Sequence, residues 1–409
     1  MKNIVTPVLL GADLNCYNVA RAFHEQYGVV SYAFGRYAVS ATKYSKIVSF
    51  TAVPDVDNEE TMLRVLTDFA AEHKGEKLVL FGCTDDYATM IARCREKLPD
   101  YTVPYPDDAL QPRMASKAEF YELCERHGIP YPKTKVLGGA AQEENLAPGK
   151  LGFDYPIIIK PSSSIEYWKN PFDGMKKVYR ADDAARAAEI ISAIYGSGYS
   201  NKVILQEFIE GGDSHMRVLT CFSDKNGKVR AMCLGHTMLE EHTPKGLGNH
   251  AAIVTEPVSE FPLALKIKNL LEELHYTGFS NFDIKLNGDG DDFRVFEINL
   301  RQGRSNYYVT SSGLNVARLA AEVFDDGGDD VTYCDKRFFW HHVPKSVAFR
   351  YTEDPSLVET AKKLDKEGNS RSSLWYAPDL KFNPVRFICV AEQMRRQKKK
   401  YKKFSPLNG

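Results

Sequence analysis

The chain has no run of eighteen consecutive apolar residues, so it offers no candidate for a helix that crosses a bilayer. It has no C-x-x-C pair. Its eight cysteines, Cys16, Cys83, Cys94, Cys124, Cys221, Cys233, Cys334 and Cys389, are scattered over 409 residues. That spacing argues against a disulfide scaffold, and the thiols read as reduced packing residues. Neither charge is in excess: Lys+Arg is 53, Asp+Glu is 54 and the net charge is −1. A generic nucleic-acid binder carries a basic surplus, so the balance argues against that class. The combination of low hydrophobicity and high net charge that marks disorder is also missing. There is no Walker A sequence and no internal repeat. The length sets a prior of roughly two to four domains. The first residues, Ile4 to Leu10, are broken by Thr6 and Pro7 and followed by Asp13. They read as a first β-strand rather than a secretory leader, and the expected compartment is the cytoplasm.

What is present alternates. Apolar strands over 4–10, 29–34 and 77–81 are separated by helices near 16–27 and 59–72, with another at 86–97. That order predicts a parallel sheet, whose ligands sit beyond the carboxyl ends of its strands. Gly11, Ala12, Asp13, Asn15, Asp85 and Asp86 fall there, where turn and capping roles compete with binding. A Pro-rich linker, Pro104 to Pro112, closes this unit. A helix over 115–127 follows, then strand 155–161, helix 182–195, strands near 203–209, 216–222 and 228–234, and helix 261–275. The expected division is 1–110, an N-terminal α/β domain; 111–200, a central lobe; 201–325, a C-terminal lobe; and 326–409, a weakly patterned extension. The fold class is α/β, with α+β lobes. A helix is expected from 305 to about 324.

Ser280 to Leu286 and Phe293 to Asn299 alternate around an Asn-Gly-Asp-Gly turn, which predicts a β-hairpin. Period two places Asn281, Asp283 and Lys285 on one face of its first strand. The same rule assigns Phe293, Val295, Glu297 and Asn299 to one face of the second. With the turn near Gly290, Asp283 lies opposite Glu297. Two carboxylates and an amide oxygen, without His or Cys, suit Mg²⁺. An isolated E-x-N is more often a solvated hairpin face. Lys160 ends a buried strand and Lys117 opens a helix. In a metal–nucleotide enzyme two such lysines reach phosphates as point charges. The backbone of strand 204–211 could pair with an adenine edge, with Phe208 or Ile209 over the ring.

In this order, these features resemble the ATP-grasp superfamily over residues 1 to about 325. The resemblance implies ATP phosphates held by Lys117 and Lys160 and by a loop of Ser162, Ser163 and Ser164, where many members are Gly-rich. It implies adenine at Gln206, Glu207, Phe208 and Ile209, the ribose at Asp213, and two Mg²⁺ at Asp283, Glu297 and Asn299. Arg301 would meet the γ-phosphate or the carboxylate being activated. Asn281 stands where dipeptide-forming members often carry arginine, which leaves Arg301, Arg304 or Arg217 for the substrate carboxylate. Residues 240–250, with Gly246, Gly248 and His250, are a lid candidate or an ordinary hairpin loop. His215, His236 and His250 orient substrate or simply pack.

Several stretches look especially like the D-aspartate ligases of bacterial cell-wall synthesis: 7–15, 213–219, 232–236, 278–283 and 296–305, the last reading Phe-Glu-Ile-Asn-Leu-Arg-Gln-Gly-Arg-Ser. That family implies an acyl phosphate made from ATP and attacked by an amine. It joins the β-carboxylate of D-aspartate to the lysine side chain of a UDP-MurNAc-pentapeptide precursor. The rival readings are a ligase for another amino acid and amine, and a non-catalytic nucleotide-binding regulator. Finally, Arg395 to Lys403 carries seven basic residues in nine. Such a run is a solvated helix or a weak contact for anionic lipid.

Overall fold

The computed structural model describes residues 5–138, 146–147, 149–162, 164–244, 246–288, 290–328 and 330–408. Its first sheet is parallel and built from β1 (Val5–Leu10), β2 (Ser31–Gly35), β3 (Val48–Ala52), β4 (Lys77–Gly82) and β5 (Tyr101–Thr102), in the order β3-β2-β1-β4-β5. The strand order reverses between β1 and β4, which opens a crevice at their carboxyl ends. Helices start directly from that crevice. Asp13 caps Leu14–Tyr27 by accepting from the Cys16 N–H at 3.1 Å, and Thr84 caps Asp85–Arg93. Gly82 is required there, because a Cβ would lie 2.4 Å from the Ala88 nitrogen.

The second sheet is antiparallel. It contains β6 (Thr134–Leu137), β7 (Ile157–Pro161), β8 (Tyr179–Ala181) and β9 (Val203–Glu207), ordered β6-β9-β7-β8. The expected lobe boundary at residue 200 therefore falls too early. β9 pairs with both β6 and β7, and the chain leaves this lobe only after Glu207. Ile157, Ile159, Ile190, Ile194 and Leu205 form a core that belongs to this lobe alone.

The third sheet has eight strands: β10 (Met216–Ser223), β11 (Val229–Glu240), β12 (His250–Glu256), β13 (Gly278–Leu286), β14 (Phe293–Asn299), β15 (Thr332–Cys334), β16 (Phe339–His341) and β17 (Ser370–Ser372). The last three come from the segment expected to be a separate extension. β15 pairs with β11, β16 with β12 and β17 with β16, so the segment widens the C-terminal lobe. Two expected helices are interrupted. Ser116 is extended and divides 110–126 into Leu110–Ala115 and Lys117–Arg126. Beyond residue 305 the chain turns at Gly313 (φ +116°), and Asn315 caps a fresh start by accepting from the Ala317 and Arg318 N–H groups.

The first and third sheets share one core. Leu9, Phe23 and Phe81 pack in the same cluster as Phe279, Tyr308, Trp340 and Val390. A buried polar clamp reinforces the junction. Arg386, from the long helix Pro384–Phe404, donates to Asp379 at 2.9 Å and to the Ala41 carbonyl at 2.7 Å, and both charged side chains are fully buried. Asp379 also accepts from Tyr17 at 2.8 Å and from the Lys46 N–H at 2.7 Å. Removing one partner of such a pair strands the other charge without solvent. Asp379→Ala is expected to lower stability by roughly 3–5 kcal/mol in denaturant unfolding. A loss below about 0.5 kcal/mol, the usual scale of a surface change, would show that the clamp does not hold the tail.

Candidate active site

The hairpin of β13 and β14 supplies one wall of a cleft between the second and third sheets. Its register pairs Asn281 with Asn299 and Asp283 with Glu297, as the turn position predicts. The expected face of β14 needs correction, however. A β-bulge lies between Asp283 and Ile284, so that Ile284 faces Val295 and Phe296 is the extra residue. Phe293 and Val295 consequently point into the core with Ile284, and Glu297 and Asn299 turn to the opposite face with Asp283. The Asn299 amide donates to Asp283 at 3.3 Å.

Lys117 opens its helix opposite this hairpin and reaches Glu297 at 2.5 Å. Lys117, then Lys160 and Lys177, hold the Glu297 carboxyl far below the usual carboxylate range against the cost of burial. Burial opposes the Lys117 ammonium, but Glu297 outweighs it and keeps it charged. Lys160, at the end of β7, has no such carboxylate in contact. Burial and the Lys117 charge push it down to about 7. Its bond is to the Gln206 carbonyl oxygen at 3.0 Å.

That bond changes the role expected for Gln206. The residue is 3% exposed, and its amide also donates to Tyr121 at 2.7 Å and to Thr134 at 3.0 Å. Its side chain bonds Lys160, Tyr121 and Thr134 in this arrangement. Glu207 is engaged with the Lys133 backbone, and Phe208 and Ile209 lie in the connection from β9 to β10. Arg180 stacks over the Phe208 ring at 4.7 Å, and Lys285 donates to the Ile209 carbonyl at 2.9 Å. Asp213 follows in a short turn, where it accepts from the Glu240 N–H at 2.8 Å and lies 2.9 Å from His242. Ser162 donates its N–H to the Lys202 carbonyl. Ser164 starts the helix Ser164–Lys169, and Ser163 lies outside the described residues.

A further acid and a base, Glu240 and His250, extend the wall. His250 lies 3.8 Å from Asp283 and 3.4 Å from Glu240, and burial lifts the Glu240 carboxyl to about 7. Sequence reasoning missed Tyr121, Glu240, His242 and Lys177. None sits in a spaced motif, and only the folded lobes bring them to the cleft. The lid candidate 240–250 joins β11 to β12 as a hairpin connection, with Lys245 outside the described residues.

The arginines divide. Arg301 is paired with Asp85 at 2.6 Å, and Arg304 lies 3.6 Å from Glu241. The loop carrying them docks on the crevice of the first sheet: Asn15 donates to the Gln302 carbonyl, Asn18 to the Arg304 carbonyl, and Gln302 to the Gly82 carbonyl. Burial raises the Asp13 carboxyl within the field of both arginines. Arg217 is buried against Glu256 at 2.7 Å, which also pairs with His236. Arg217 and His236 are therefore both held by Glu256.

A D-aspartate ligase from Enterococcus faecium (strain Aus0004) is 38% identical over 388 residues, covering 91% of this chain and 90% of that protein. The chain belongs to the D-aspartate ligase family of ATP-grasp enzymes. It is accordingly an ATP-dependent carboxylate–amine ligase. The fold agrees. An L-amino acid ligase from Bacillus licheniformis superposes with a TM-score of 0.55 at 16% identity, over 79% of this chain and 75% of that one. An ADP complex of N5-carboxyaminoimidazole ribonucleotide synthetase gives 0.56 at 13% identity, over 83% and 82%. No protein-family model matches the chain.

If Lys160 holds a nucleotide phosphate, its charged form is favoured and binding takes up a proton where that ammonium is partly neutral. ADP affinity is expected to fall as pH rises through the Lys160 value of about 7. Calorimetry between about pH 6 and 9 checks this, and a flat affinity over that range contradicts the assignment.

Proposed function

We propose that the cleft joins the β-carboxylate of D-aspartate to the lysine side-chain amine of a UDP-linked muramyl-pentapeptide, forming an amide for a peptidoglycan cross-bridge. The observation that carries the reading is the facing of Lys117 and Lys160 with Asp283, Glu297 and Asn299 across one cleft. The similarity to a D-aspartate ligase over nearly the whole of both chains supports the choice of amino acid.

Lys117 and Lys160 would neutralise the phosphates of ATP, with the backbone of the loop from Ser162 to Ser164 beside them. The connection at Glu207, Phe208 and Ile209 would meet adenine, and Asp213 the ribose. Asp283, Glu297 and Asn299 fit Mg²⁺, two ions in our reading. They are hard oxygen donors on one face. Among the described residues there is no cluster of three His, Cys, Asp or Glu side chains able to hold a metal by itself. That donor set leaves positions for phosphate oxygens, as Mg²⁺ requires. The ion, when bound, supplies charge stabilisation at the transferring phosphoryl.

Arg301 and Arg304 lie on the loop that docks on the crevice of the first sheet. They would orient the substrate carboxylate toward the γ-phosphate. Carboxylate attack yields an acyl phosphate and ADP. Attack by the amine then gives the amide and releases phosphate. Lysines and arginines already in place stabilise the spreading charge without reorganisation. Closure of the central lobe would keep water from the acyl phosphate.

Phosphate release from Mg·ATP, measured with D- and L-amino acids and with or without the muramyl-pentapeptide, tests the substrates. Release that needs D-aspartate and acceptor together, with a product heavier by one aspartyl residue, is expected. Release with another pair contradicts the substrate assignment and leaves the ligase chemistry standing. Glu297→Ala should lower turnover by about a thousandfold or more, the scale of losing a main electrostatic element, while the protein stays folded. Wild-type turnover in that variant would remove Glu297 from the site.

A further inference from the structure

The helix Pro384–Phe404 buries one face through Arg386, Val390, Met394 and Tyr401. Its opposite face changes character along its length. Val385 and Ile388 are exposed at its start. Exposed Arg395, Arg396, Lys399 and Lys403 follow on the same stripe at helical spacing. The one acid among them, Glu392, is neutralised by Arg395 and by Arg396 at 3.0 Å. The outward face is therefore apolar at one end and cationic at the other.

The residues leading into the helix extend the apolar end. Phe382 is 87% exposed and sits at φ +57°; Tyr44, beside it, is 51% exposed at φ +64°. Bulky side chains rarely adopt the left-handed region, and holding them there costs conformational energy. The surrounding structure maintains it: Asn383 donates to the Tyr44 carbonyl at 2.7 Å, and Lys46 donates to the Lys381 and Phe382 carbonyls. The backbone at both positions is thus held in place, and both aromatic side chains are left exposed. Each carries its own cation, Lys43 at 4.9 Å from the Tyr44 ring and Lys381 at 5.1 Å from the Phe382 ring.

We infer that this face docks on an anionic lipid surface, with Tyr44, Phe382, Val385 and Ile388 entering the interfacial layer and Arg396, Lys399 and Lys403 lying against the headgroups. Charge complementarity selects this occupant. A second copy of the chain meeting the face on a two-fold axis would oppose like charges. Amphipathic surfaces with exposed aromatic and aliphatic side chains, edged by Lys and Arg, are built for the bilayer boundary. No helix among the described residues is long and apolar enough to cross a membrane, so the contact is peripheral. The inference is independent of which amino acid the ligase uses.

Co-sedimentation of the full chain with vesicles tests it. One set is phosphatidylcholine alone and the other phosphatidylcholine mixed with phosphatidylglycerol. Binding to the mixed vesicles, weakened by salt and absent from the neutral ones, is expected. Arg396→Gln, Lys399→Gln and Lys403→Gln should each weaken it roughly fivefold. Phe382→Ser with Ile388→Ser should weaken it about tenfold or more. These variants lie away from the cleft and should keep wild-type ATP turnover and thermal midpoint. Three results would overturn the inference: no binding to mixed vesicles, equal binding to both sets, or mixed-vesicle binding that the Phe382→Ser, Ile388→Ser variant leaves unchanged. Concentration-dependent dimerisation lost in that variant would assign the face to a second copy instead.

Discussion

The contact between Lys117 and Glu297 is the point on which the cleft is balanced. Two lysines brought to one cavity repel each other, and burial makes both charges costlier. Glu297 offsets this for Lys117 directly, whereas Lys160 is left with an amide partner and a depressed ammonium. The cleft thus gathers two lysines and a set of hard oxygen donors, the groups that a metal-bound polyphosphate would engage. The geometry depends on a single bulged residue. Were the strand regular through Phe296, Glu297 would share the core-facing side of Val295.

Around the cleft the chain distributes rigidity unevenly. The first and third sheets share a core and are tied by the Arg386–Asp379 clamp, so the crevice of the first sheet and the hairpin keep a fixed relation. The central lobe has its own core and connects to the third sheet through the segment after Glu207. Lys160 rides on that lobe, while Lys117 and the hairpin stay with the larger body. A nucleotide bound between them would contact both bodies, and residues 240–250 join β11 to β12 on the larger one.

Much of this was legible in the sequence where the signal is local. The strand–helix alternation of the first hundred residues, the hairpin and the opposition of Asp283 to Glu297 follow from periodicity and turn chemistry. The face of β14 is hidden from periodicity because a bulge shifts period two by one residue without altering composition. β9 was assigned to the wrong lobe because pairing with β6 and β7 is a tertiary choice. The three-residue strands β15, β16 and β17 are too short to show any pattern, so the C-terminal segment looked detached. Gln206 illustrates the limit for the site. The resemblance placed it at the adenine, and only the fold shows its amide spent on Lys160, Tyr121 and Thr134.

Activation of a carboxylate by phosphorylation moves one of its oxygens onto phosphate. Turnover with D-aspartate labelled with ¹⁸O in its β-carboxylate, followed by mass analysis of the released phosphate, tests it most directly. The account predicts that each turnover carries one labelled oxygen into inorganic phosphate while the amide product keeps the other. Phosphate without label, or label recovered in AMP, would contradict it.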